Sequence, residues 1–208
     1  MIHEILPVGL LQCNCSIVGD ETSREAIVID PGEDIPAIQA LLDRHQLKVK
    51  LIVITHAHID HIAGAQQLKK LTGAPILYNE NDLPLVKMMD VQASWLRMPT
   101  PEVLPPDASL KDGETVGVEG LAGLVLHTPG HTQGSICLYL PEQKVLLAGD
   151  TLFAGSVGRT DLPGGDMGQL IRSIQDRILV LADDITVVPG HGPNTTIGEE
   201  RQSNPFII

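Results

Sequence analysis

The sequence has few aromatic side chains. Its 208 residues include two Phe, two Tyr and one Trp, only 2% of the chain, whereas hydrophobic residues make up 43%. A chain of this length is long enough to bury a sizeable core. Because aromatic rings are scarce, we expect that core to consist of Leu, Ile, Val and Ala.

Basic residues are scarce as well. Lys and Arg number 14 against 26 Asp and Glu, which gives a formal net charge of -12 at pH 7, and the chain has no basic tract. Surfaces that bind nucleic acid or anionic membranes need clustered Lys and Arg. The charge pattern therefore argues against nucleic acid and membranes as partners, and bound divalent cations would offset part of the negative charge.

Long apolar runs are missing too. No run approaches the roughly 18 residues of a transmembrane helix, and the N-terminus lacks a basic segment followed by a long apolar one. The three cysteines, Cys13, Cys15 and Cys137, are an odd number, which does not fit a disulfide framework. We therefore expect a cytoplasmic protein.

Short apolar runs alternate with stretches of helical periodicity. The runs predicted as strands are residues 26–29, 51–54, 121–126, 135–140, 144–147 and 185–188. Asp34 and Asp166 are predicted to cap two helices, and a third is predicted from Ile62 to Gly73. Residues 79–112 lack a clean period and are predicted as a helix plus an irregular excursion that walls a substrate pocket. This mixed order indicates an α/β fold with mixed sheets.

A cluster of metal-ligand residues directly follows the predicted strand at 51–54. Residues 55–61 read Thr-His-Ala-His-Ile-Asp-His. Burying so many imidazole and carboxylate groups costs free energy unless something compensates them. Neutral imidazole and carboxylate are standard ligands of transition metals. His56, His58, Asp60 and His61 therefore predict a metal site, and an open site is typical of hydrolysis or oxygen chemistry.

Three more polar residues stand at predicted strand ends. His131, Asp150 and His191 each follow a glycine, a residue that lets backbone segments approach closely. A lone histidine after a Pro-Gly turn is more often structural. Together with the cluster at residues 55–61, however, the three side chains complete a metal-ligand set.

The other candidate ligands receive a structural interpretation. His3, His45 and His127 are expected at the surface or at strand edges. Cys13 and Cys15 could form a thiol metal pair, but they alternate with Asn14 and have no further partners nearby in the sequence. We predict that they lie on a buried strand.

The combined pattern resembles the ligand set of the metallo-β-lactamase superfamily over essentially the whole chain. The resemblance implies an αββα sandwich, in which two mixed sheets stack face to face with helices outside. It also implies two divalent metal ions that share a hydroxide. Zn is the first candidate, and Fe and Mn are alternatives. Asp60 and Asp150 are the implied catalytic carboxylates. Asp30 matches an aspartate beneath such sites, where it would orient a ligand or loop; its alternative role is in the turn before Pro-Gly. The implied ligands are His56, His58 and His131 for the first ion, Asp60, His61 and His191 for the second, and Asp150 for both.

Within the superfamily, the chain most resembles the glyoxalase II group of thioesterases. The supporting stretches are residues 129–135, 149–153 and 158–161. Arg159 matches a lysine that contacts the carboxylate of glutathione in long-form members, and arginine makes bidentate bonds to carboxylates; its alternative role is an ion pair with Asp161 or Asp166. Long-form members continue into a helical glutathione-binding domain. We expect this chain to be one domain over residues 1–208 without that addition.

The resemblance predicts a metal-dependent hydrolase that cleaves S-acyl thiols such as S-lactoylglutathione. Lactamases and nucleases of the fold are disfavoured, because Asp60 and Asp150 are both present and no basic surface is visible. One alternative is a persulfide dioxygenase with a single iron held by His56, His131 and Asp150, a ligand set suited to oxygen activation. Residues 158–161 and the ending from Glu199 to Pro205 also resemble that group. A non-catalytic metal-binding or partner-binding protein is the third possibility.

Overall fold

The computed structural model describes residues 1–207, so Ile208, the end of the domain predicted over 1–208, lies outside the described residues. The first half of the chain forms a six-stranded mixed sheet. Its strands, in chain order and in sheet order, are β1 (Ile2–Val8), β2 (Cys13–Gly19), β3 (Glu25–Ile29), β4 (Lys48–Val53), β5 (Ile76–Tyr78) and β6 (Ala108–Ser109). Strands β1 to β3 pair antiparallel, and β3 to β6 pair parallel.

The second half supplies another six-stranded mixed sheet and a small hairpin. The strands are β7 (Thr115–Val118), β8 (Leu121–His127), β9 (Ile136–Leu140), β10 (Val145–Gly149), the hairpin β11 (Leu152–Phe153) and β12 (Ser156–Val157), β13 (Thr186–Pro189) and β14 (Thr195–Thr196). The sheet order is β14-β13-β10-β9-β8-β7. Strands β10 and β13 pair parallel, and the other neighbours pair antiparallel.

Helices cover the outer faces of both sheets. They are α1 (Ile35–Arg44), α2 (Ile59–Ile62), α3 (Ala65–Thr72), α4 (Leu83–Val86), α5 (Met89–Leu96), α6 (Met167–Ser173), which continues into a π-helical turn, and α7 (Ile197–Ser203). In the described residues, no helix is both long and apolar enough to cross a membrane.

The core is built in three layers by the alternation of side chains along the strands. On β2, Ile17 packs towards the first helical layer while Val18 packs between the sheets. On β10, Leu146 packs towards α6 and Leu147 packs between the sheets. Successive strand residues point to opposite faces, so strands that are apolar throughout must be covered on both sides. The predicted αββα sandwich is confirmed, and its largest fully buried side chains are Ile, Leu and a single aromatic, Tyr78.

Two predicted helical features differ from the structure. Asp34 stands at the start of α1 but does not cap it, because its carboxylate accepts a hydrogen bond from the amide of Gly9 at 2.8 Å instead. The helix predicted from Ile62 to Gly73 is confirmed over α3, which ends at the C-cap Gly73, but Ile62 belongs to the preceding helix α2. Gly64 separates the two helices, and a Cβ atom there would lie 2.4 Å from the carbonyl oxygen of Pro31. Close packing against this turn, which the periodicity does not encode, interrupts the helix.

Other local predictions are confirmed. Asp166 caps α6 by accepting a hydrogen bond from the amide of Gln169 at 2.8 Å. Residues 79–112 form a 3₁₀ turn, two short helices and an irregular segment that ends at β6. The segment after β4, which carries residues 55–61, is joined to the second sheet by a hydrogen bond from the amide of Ile136 to the carbonyl of Thr55 at 2.9 Å. The ends of strands from both sheets therefore meet at one edge.

Candidate metal centre

Three histidines from two loops converge at this edge. The Nε2 atom of His131 lies 2.9 Å from Nδ1 of His58 and 3.1 Å from Nε2 of His56. His56 and His58 lie on the loop after β4, and His131 lies on the loop between β8 and β9. Each of these side chains offers one nitrogen to a common point, a grouping that can hold a metal ion.

A second group lies beside the first. The Oδ2 atom of Asp60 lies 3.1 Å from Nε2 of His191 and 3.7 Å from Nε2 of His61. Asp60 and His61 lie on the short helix α2, whereas His191 follows β13. These three residues also form a grouping that can hold a metal ion.

Asp150 lies between the two groups, with one oxygen turned to each. Its Oδ2 atom lies 3.6 Å from Nε2 of His131, and its Oδ1 atom lies 3.4 Å from Nε2 of His61. Asp150 directly follows β10. The structure thus brings together all seven residues that the sequence pattern selected as ligands.

Hydrogen bonds fix the ring tautomer of four of the five histidines. Thr55 Oγ1 donates to Asp30, so it accepts from Nδ1 of His56. The Nδ1 atom of each of the other three also bonds to an oxygen: Asp30 Oδ2 for His61, Arg159 O for His131 and Leu11 O for His191. In the neutral form of all four rings, Nε2 therefore presents a lone pair to the cluster.

The charge states of the site match a metal centre. Burial lowers the pKa of His58 to about 3 and also lowers the pKa of His56, with the neighbouring imidazoles acting in the same direction. Burial alone would raise the pKa of Asp150, but His61, His131 and His191 together outweigh it and hold this pKa below its usual range. His56 and His58 are therefore neutral and Asp150 is ionised, the forms in which these groups bind metals. Burial opposes protonation of His61 and His191, but the neighbouring acidic groups outweigh it and raise the pKa of both rings, so a bound metal would displace their protons.

Buried polar atoms without hydrogen-bond partners also indicate a metal site. Within residues 1–207, Nε2 of His61 and Oδ1 of Asp150 are buried and have no hydrogen-bond partner. Buried polar groups in native proteins nearly always have partners. A cation between these two atoms would compensate both, so the residues present fit a metal ion. The Nε2 atom of His58 also has no partner, but it is not the atom that faces His131.

Asp30 lies beneath the cluster. Its Oδ1 atom accepts a hydrogen bond from the amide of Thr55 at 2.7 Å, and its Oδ2 atom lies 2.8 Å from Nδ1 of His61. The carboxylate thus connects the start of the ligand loop to one predicted ligand.

Cys13, on β2, lies 3.5 Å from the same nitrogen of His61, although sequence reasoning gave it no place near the site. Only the pairing of β2 beside β3 could have indicated it.

Sequence reasoning also missed two polar side chains that hold the ligand loops. Asp82 is buried, and its carboxylate accepts hydrogen bonds from the amides of Ala57 and Gly134 at 2.8 and 2.6 Å and from Thr132 Oγ1 at 2.9 Å. It joins the loop of His56 and His58 to the loop of His131. Its partners lie 25 to 52 residues away, so no local motif marks it.

Gln92 on α5 is the other such residue. Its Oε1 atom accepts from the amide of Ile59 at 3.0 Å, and its Nε2 atom donates to the carbonyls of Ala57 and Leu85 at 3.3 and 3.0 Å. The side chain thus attaches α5 to the backbone of the ligand loop. Gln92 therefore positions α5 relative to the predicted metal ligands.

One glycine makes the close approach of the strands possible. A Cβ atom at residue 190 would lie 2.1 Å from Oδ1 of Asp150 and 2.7 Å from Cε1 of His61. No side chain fits there without displacing both predicted ligands. This close approach is what the glycines beside His131, Asp150 and His191 were expected to provide.

Arg159 is placed beside the site but is paired. Its Nε atom and one terminal nitrogen donate to the two carboxylate oxygens of Asp161 at 2.7 and 2.8 Å. It also borders a cavity of about 530 Å³ that opens onto the cluster. The structure therefore contains the predicted ion pair, and Arg159 is also one of the residues that line the cavity.

The chain end that resembles persulfide dioxygenases has a structural role. Glu200 is buried and accepts hydrogen bonds from the amide of Gly155 at 2.9 Å, from Thr195 Oγ1 at 2.6 Å and from Asn204 Nδ2 at 2.7 Å. Asn204 also donates to the carbonyl of Ser156 at 3.0 Å. These bonds hold the β11–β12 hairpin, which directly follows Asp150.

Fold and site together define a class of metalloproteins with an αββα sandwich and a His/Asp cluster at one edge. The Metallo-beta-lactamase superfamily model matches residues 8–191. The chain belongs to this superfamily.

Three relatives are similar over nearly the full length. Hydroxyacylglutathione hydrolase GloC of Haemophilus influenzae is 40% identical over 98% of this chain and 97% of its own length. The solved structure of BLEG-1 B3 metallo-beta-lactamase has a TM-score of 0.89 and 34% identity, covering 99% of each chain. TTHA1623, solved in a di-iron-bound form, has a TM-score of 0.87 and 38% identity, covering 98% of this chain and 99% of its own.

Proposed function

We propose that this chain is a metal-dependent hydrolase of S-acyl thiols, of the hydroxyacylglutathione hydrolase type. The observation that carries the proposal is the position of Asp150, whose two oxygens face two separate groups of nitrogen and oxygen ligands. Such an arrangement suits two metal ions that act on one substrate. The 40% identity to GloC supports a thioester as that substrate.

Under this proposal, seven side chains hold two ions. When bound, the ions supply a Lewis acid for the carbonyl oxygen and lower the pKa of a bound water towards neutrality. Zn is the first candidate, with Fe and Mn as alternatives, and the di-iron-bound form of the similar TTHA1623 supports iron. The proposed ligands are His56, His58 and His131 for one ion, Asp60, His61 and His191 for the other, and Asp150 for both.

The protein's own contribution is to prepare these groups. The oxygens that bond Nδ1 of His56, His61, His131 and His191 keep each Nε2 lone pair directed at the cluster. The low pKa of Asp150 keeps it ionised at neutral pH. Few side chains have to reorganise when metal or substrate binds, which favours catalysis.

Arg159 is the proposed contact for the thiol carrier. Arg159 lines the cavity, and its guanidinium already binds a carboxylate, that of Asp161. The pair is solvent-exposed, and exposed pairs contribute little free energy. A substrate carboxylate could therefore replace Asp161 at modest cost.

A second candidate is hydrolysis of β-lactams. The sequence disfavoured a lactamase, but BLEG-1 B3 metallo-beta-lactamase is similar over 99% of the chain. The persulfide dioxygenase alternative retains its three candidate ligands, His56, His131 and Asp150. Of the two stretches that suggested it, residues 158–161 and the ending from Glu199 to Pro205, the ending has a structural role, because Glu200 and Asn204 hold the β11–β12 hairpin.

The test combines elemental analysis with activity assays on one purified sample. Metal content per chain would be measured beside hydrolysis of S-lactoylglutathione, hydrolysis of a chromogenic cephalosporin and oxygen uptake on glutathione persulfide. We expect about two metal ions per chain and thioester hydrolysis. Asp150→Ala serves as the inactive variant, and Asp176→Ala, at an exposed aspartate, serves as the matched control.

Three other results would each overturn the proposal. One iron per chain with oxygen uptake and no hydrolysis would identify a dioxygenase. Hydrolysis of the cephalosporin alone would identify a lactamase. Bound metal without turnover of any of these substrates would identify a metal-binding protein.

A further inference from the structure

The cavity above the predicted metal centre has apolar walls. Its lining includes Leu11 from the β1–β2 loop, Ile59 from α2, Trp95 and Leu96 from α5, and Leu162 from the loop after β12. These side chains come from four separate segments of the chain. The apolar lining is therefore a property of the assembled cavity and does not come from one exposed helix face.

The polar groups beside these walls are already occupied. The Gln92 side chain, which also lines the cavity, bonds to the backbone of Ala57, Ile59 and Leu85. The guanidinium of Arg159 is paired with Asp161. Among the described residues that line the cavity, the remaining polar side chains are predicted metal ligands, apart from the indole N–H of Trp95. Away from the predicted metal ligands, the described lining residues thus offer a polar group only the indole N–H of Trp95 and the guanidinium of Arg159, which would first have to release Asp161.

Two of the apolar side chains that line the cavity are exposed. Trp95, the single tryptophan of the chain, is 51% exposed, and Leu11 is 44% exposed. A tryptophan side chain buries a large area when a ligand covers it, and exposed apolar surface in a cleft is typical of binding sites. A bound apolar group would remove this surface from water.

We propose that the substrate is an S-acyl thiol whose acyl group is apolar and larger than lactoyl, and that Trp95 forms part of its binding wall. The inference rests on the proposed thioester hydrolysis. Soluble carrier thiols are polar and charged, so the apolar part of such a thioester is its acyl group. The lactoyl group has one methyl group and a hydroxyl, and it would leave the apolar walls largely uncovered.

Binding is tested first with thioethers, which cannot be hydrolysed. S-methyl-, S-butyl- and S-hexylglutathione share the charged carrier and differ only in the apolar group. Because Trp95 is the single tryptophan, its fluorescence reports their binding directly. Full burial of a methylene improves affinity about fourfold, so we expect at least about tenfold tighter binding of S-hexyl- than of S-methylglutathione.

Turnover is tested with a matched series of thioesters. S-acetyl-, S-lactoyl-, S-butyryl- and S-hexanoylglutathione would be compared by kcat/KM. We expect at least about a tenfold rise from acetyl to hexanoyl, mostly through KM, with S-lactoylglutathione near the low end. Trp95→Ala should flatten the series, Trp95→Phe should keep most of it, and Val180→Ala, at an exposed apolar residue outside the cavity lining, should leave it unchanged. Calorimetry replaces fluorescence for the Trp95 variants.

The outcomes separate this inference from the proposed function. If the chain hydrolyses thioesters but affinity and kcat/KM do not change with the length of the apolar group, the assignment of an apolar acyl group is refuted. The proposed thioester hydrolysis then stands. Chain-length-dependent binding without any thioester hydrolysis refutes the proposed function, and the substrate assignment with it. A series that Trp95→Ala does not flatten overturns the role of Trp95. The role of Trp95 in substrate binding is also refuted if Trp95→Ala dissociates a dimer and leaves the series unchanged, because the tryptophan then belongs to a subunit contact.

Discussion

The carboxylate of Asp82 accepts a hydrogen bond at 2.8 Å from the amide of Ala57, the residue between the predicted ligands His56 and His58. The same carboxylate accepts bonds from the loop that carries His131. One buried side chain therefore fixes the spacing of the two loops whose nitrogens converge. The geometry of the cluster depends on a residue that need not touch a metal.

Asp82→Asn should loosen this connection. An asparagine keeps only one acceptor oxygen, so an amide nitrogen would face at least one of the donors at Ala57, Thr132 and Gly134. Supporting residues around metal ligands typically contribute 10- to 100-fold in metal affinity, and we expect a loss of about tenfold. Competition with a chelator measures the affinity, and Glu80→Gln, at an exposed neighbour, is the control. Unchanged affinity in Asp82→Asn would contradict this role.

Asp30→Asn tests the orientation of His61. The asparagine tolerates the positive φ of 52° at this position but weakens the charged hydrogen bond that fixes the tautomer of His61. We expect about a tenfold or greater loss of metal affinity and of hydrolysis. Metal content after dialysis and kcat on a thioester would be measured together. If both values match those of the unmodified chain, Asp30 does not act through His61.

His61→Ala separates the two-metal mechanism from a one-metal mechanism. Loss of this side chain removes a predicted ligand of the second ion, so hydrolysis should fall by about a hundredfold or more, with about one metal ion lost per chain. A dioxygenase that uses His56, His131 and Asp150 should be less affected. His45→Ala, at a histidine that pairs with Glu4 outside the cluster, is the control. Hydrolysis at the unmodified rate would disprove the two-metal mechanism.

The cysteines should be unreactive in the folded protein. Burial raises the pKa of Cys13 to about 12 and of Cys137 to about 11, and it raises the pKa of Cys15 as well. Thiol reagents attack the thiolate, which is nearly absent at pH 8. Titration with a chromogenic disulfide should detect no fast thiol in the native chain and three after unfolding in guanidinium. Fast reaction of a native thiol would show that a cysteine is accessible.

A pH-dependent contribution to stability is expected at Asp107. The hydrogen bonds from Lys69 and from the amide of Ile76 lower the pKa of this carboxyl below its ordinary 3.8. A lowered pKa means that the folded state favours the carboxylate, so the stabilisation is present above pH 3.8 and disappears as pH falls through the folded-state pKa. The carboxylate is partly exposed, which limits its contribution to about 1 kcal/mol.

Asp107→Asn should therefore lower the free energy of unfolding at pH 7. It should match the unmodified chain once the Asp107 carboxyl of that chain is protonated in both the folded and the unfolded state. Urea unfolding at a series of pH values from 7 downward measures the difference, and Asp176→Asn is the control. Acid release of metal affects all variants alike, so differences at each pH remain comparable. A difference that persists at the lowest pH would mean that the amide disturbs the site in another way.

Local patterns predicted the elements well where the deciding interactions are local. Asp166 caps α6 as expected because an N-cap bond joins residues three apart. Asp34 does not cap α1, since Gly9, 25 residues away, takes its carboxylate. Gly64 interrupts a predicted helix because the Pro31 turn packs against it. In both failures, a distant backbone segment overrode a local preference.

The site shows the same division. His56, His58, Asp60 and His61 were recognisable because a dense group of ligand types follows an apolar strand. Asp82 and Gln92 were not recognisable, because they lie in an aperiodic stretch and their partners are backbone groups of distant loops. Ordinary Asp and Gln residues acquire such roles only when the chain has folded.

The sequence by itself determined which residues are available as ligands and which strands must be buried on both faces. Both depend only on residue type and on the alternation of successive side chains between the two faces of a strand, a property that each strand has before it pairs with another. Only the tertiary structure decided which nitrogen of each histidine faces the cluster, that Asp150 lies between two groups, and that the cavity above them is apolar. These features depend on long-range register, which brings strand ends from two sheets to one edge.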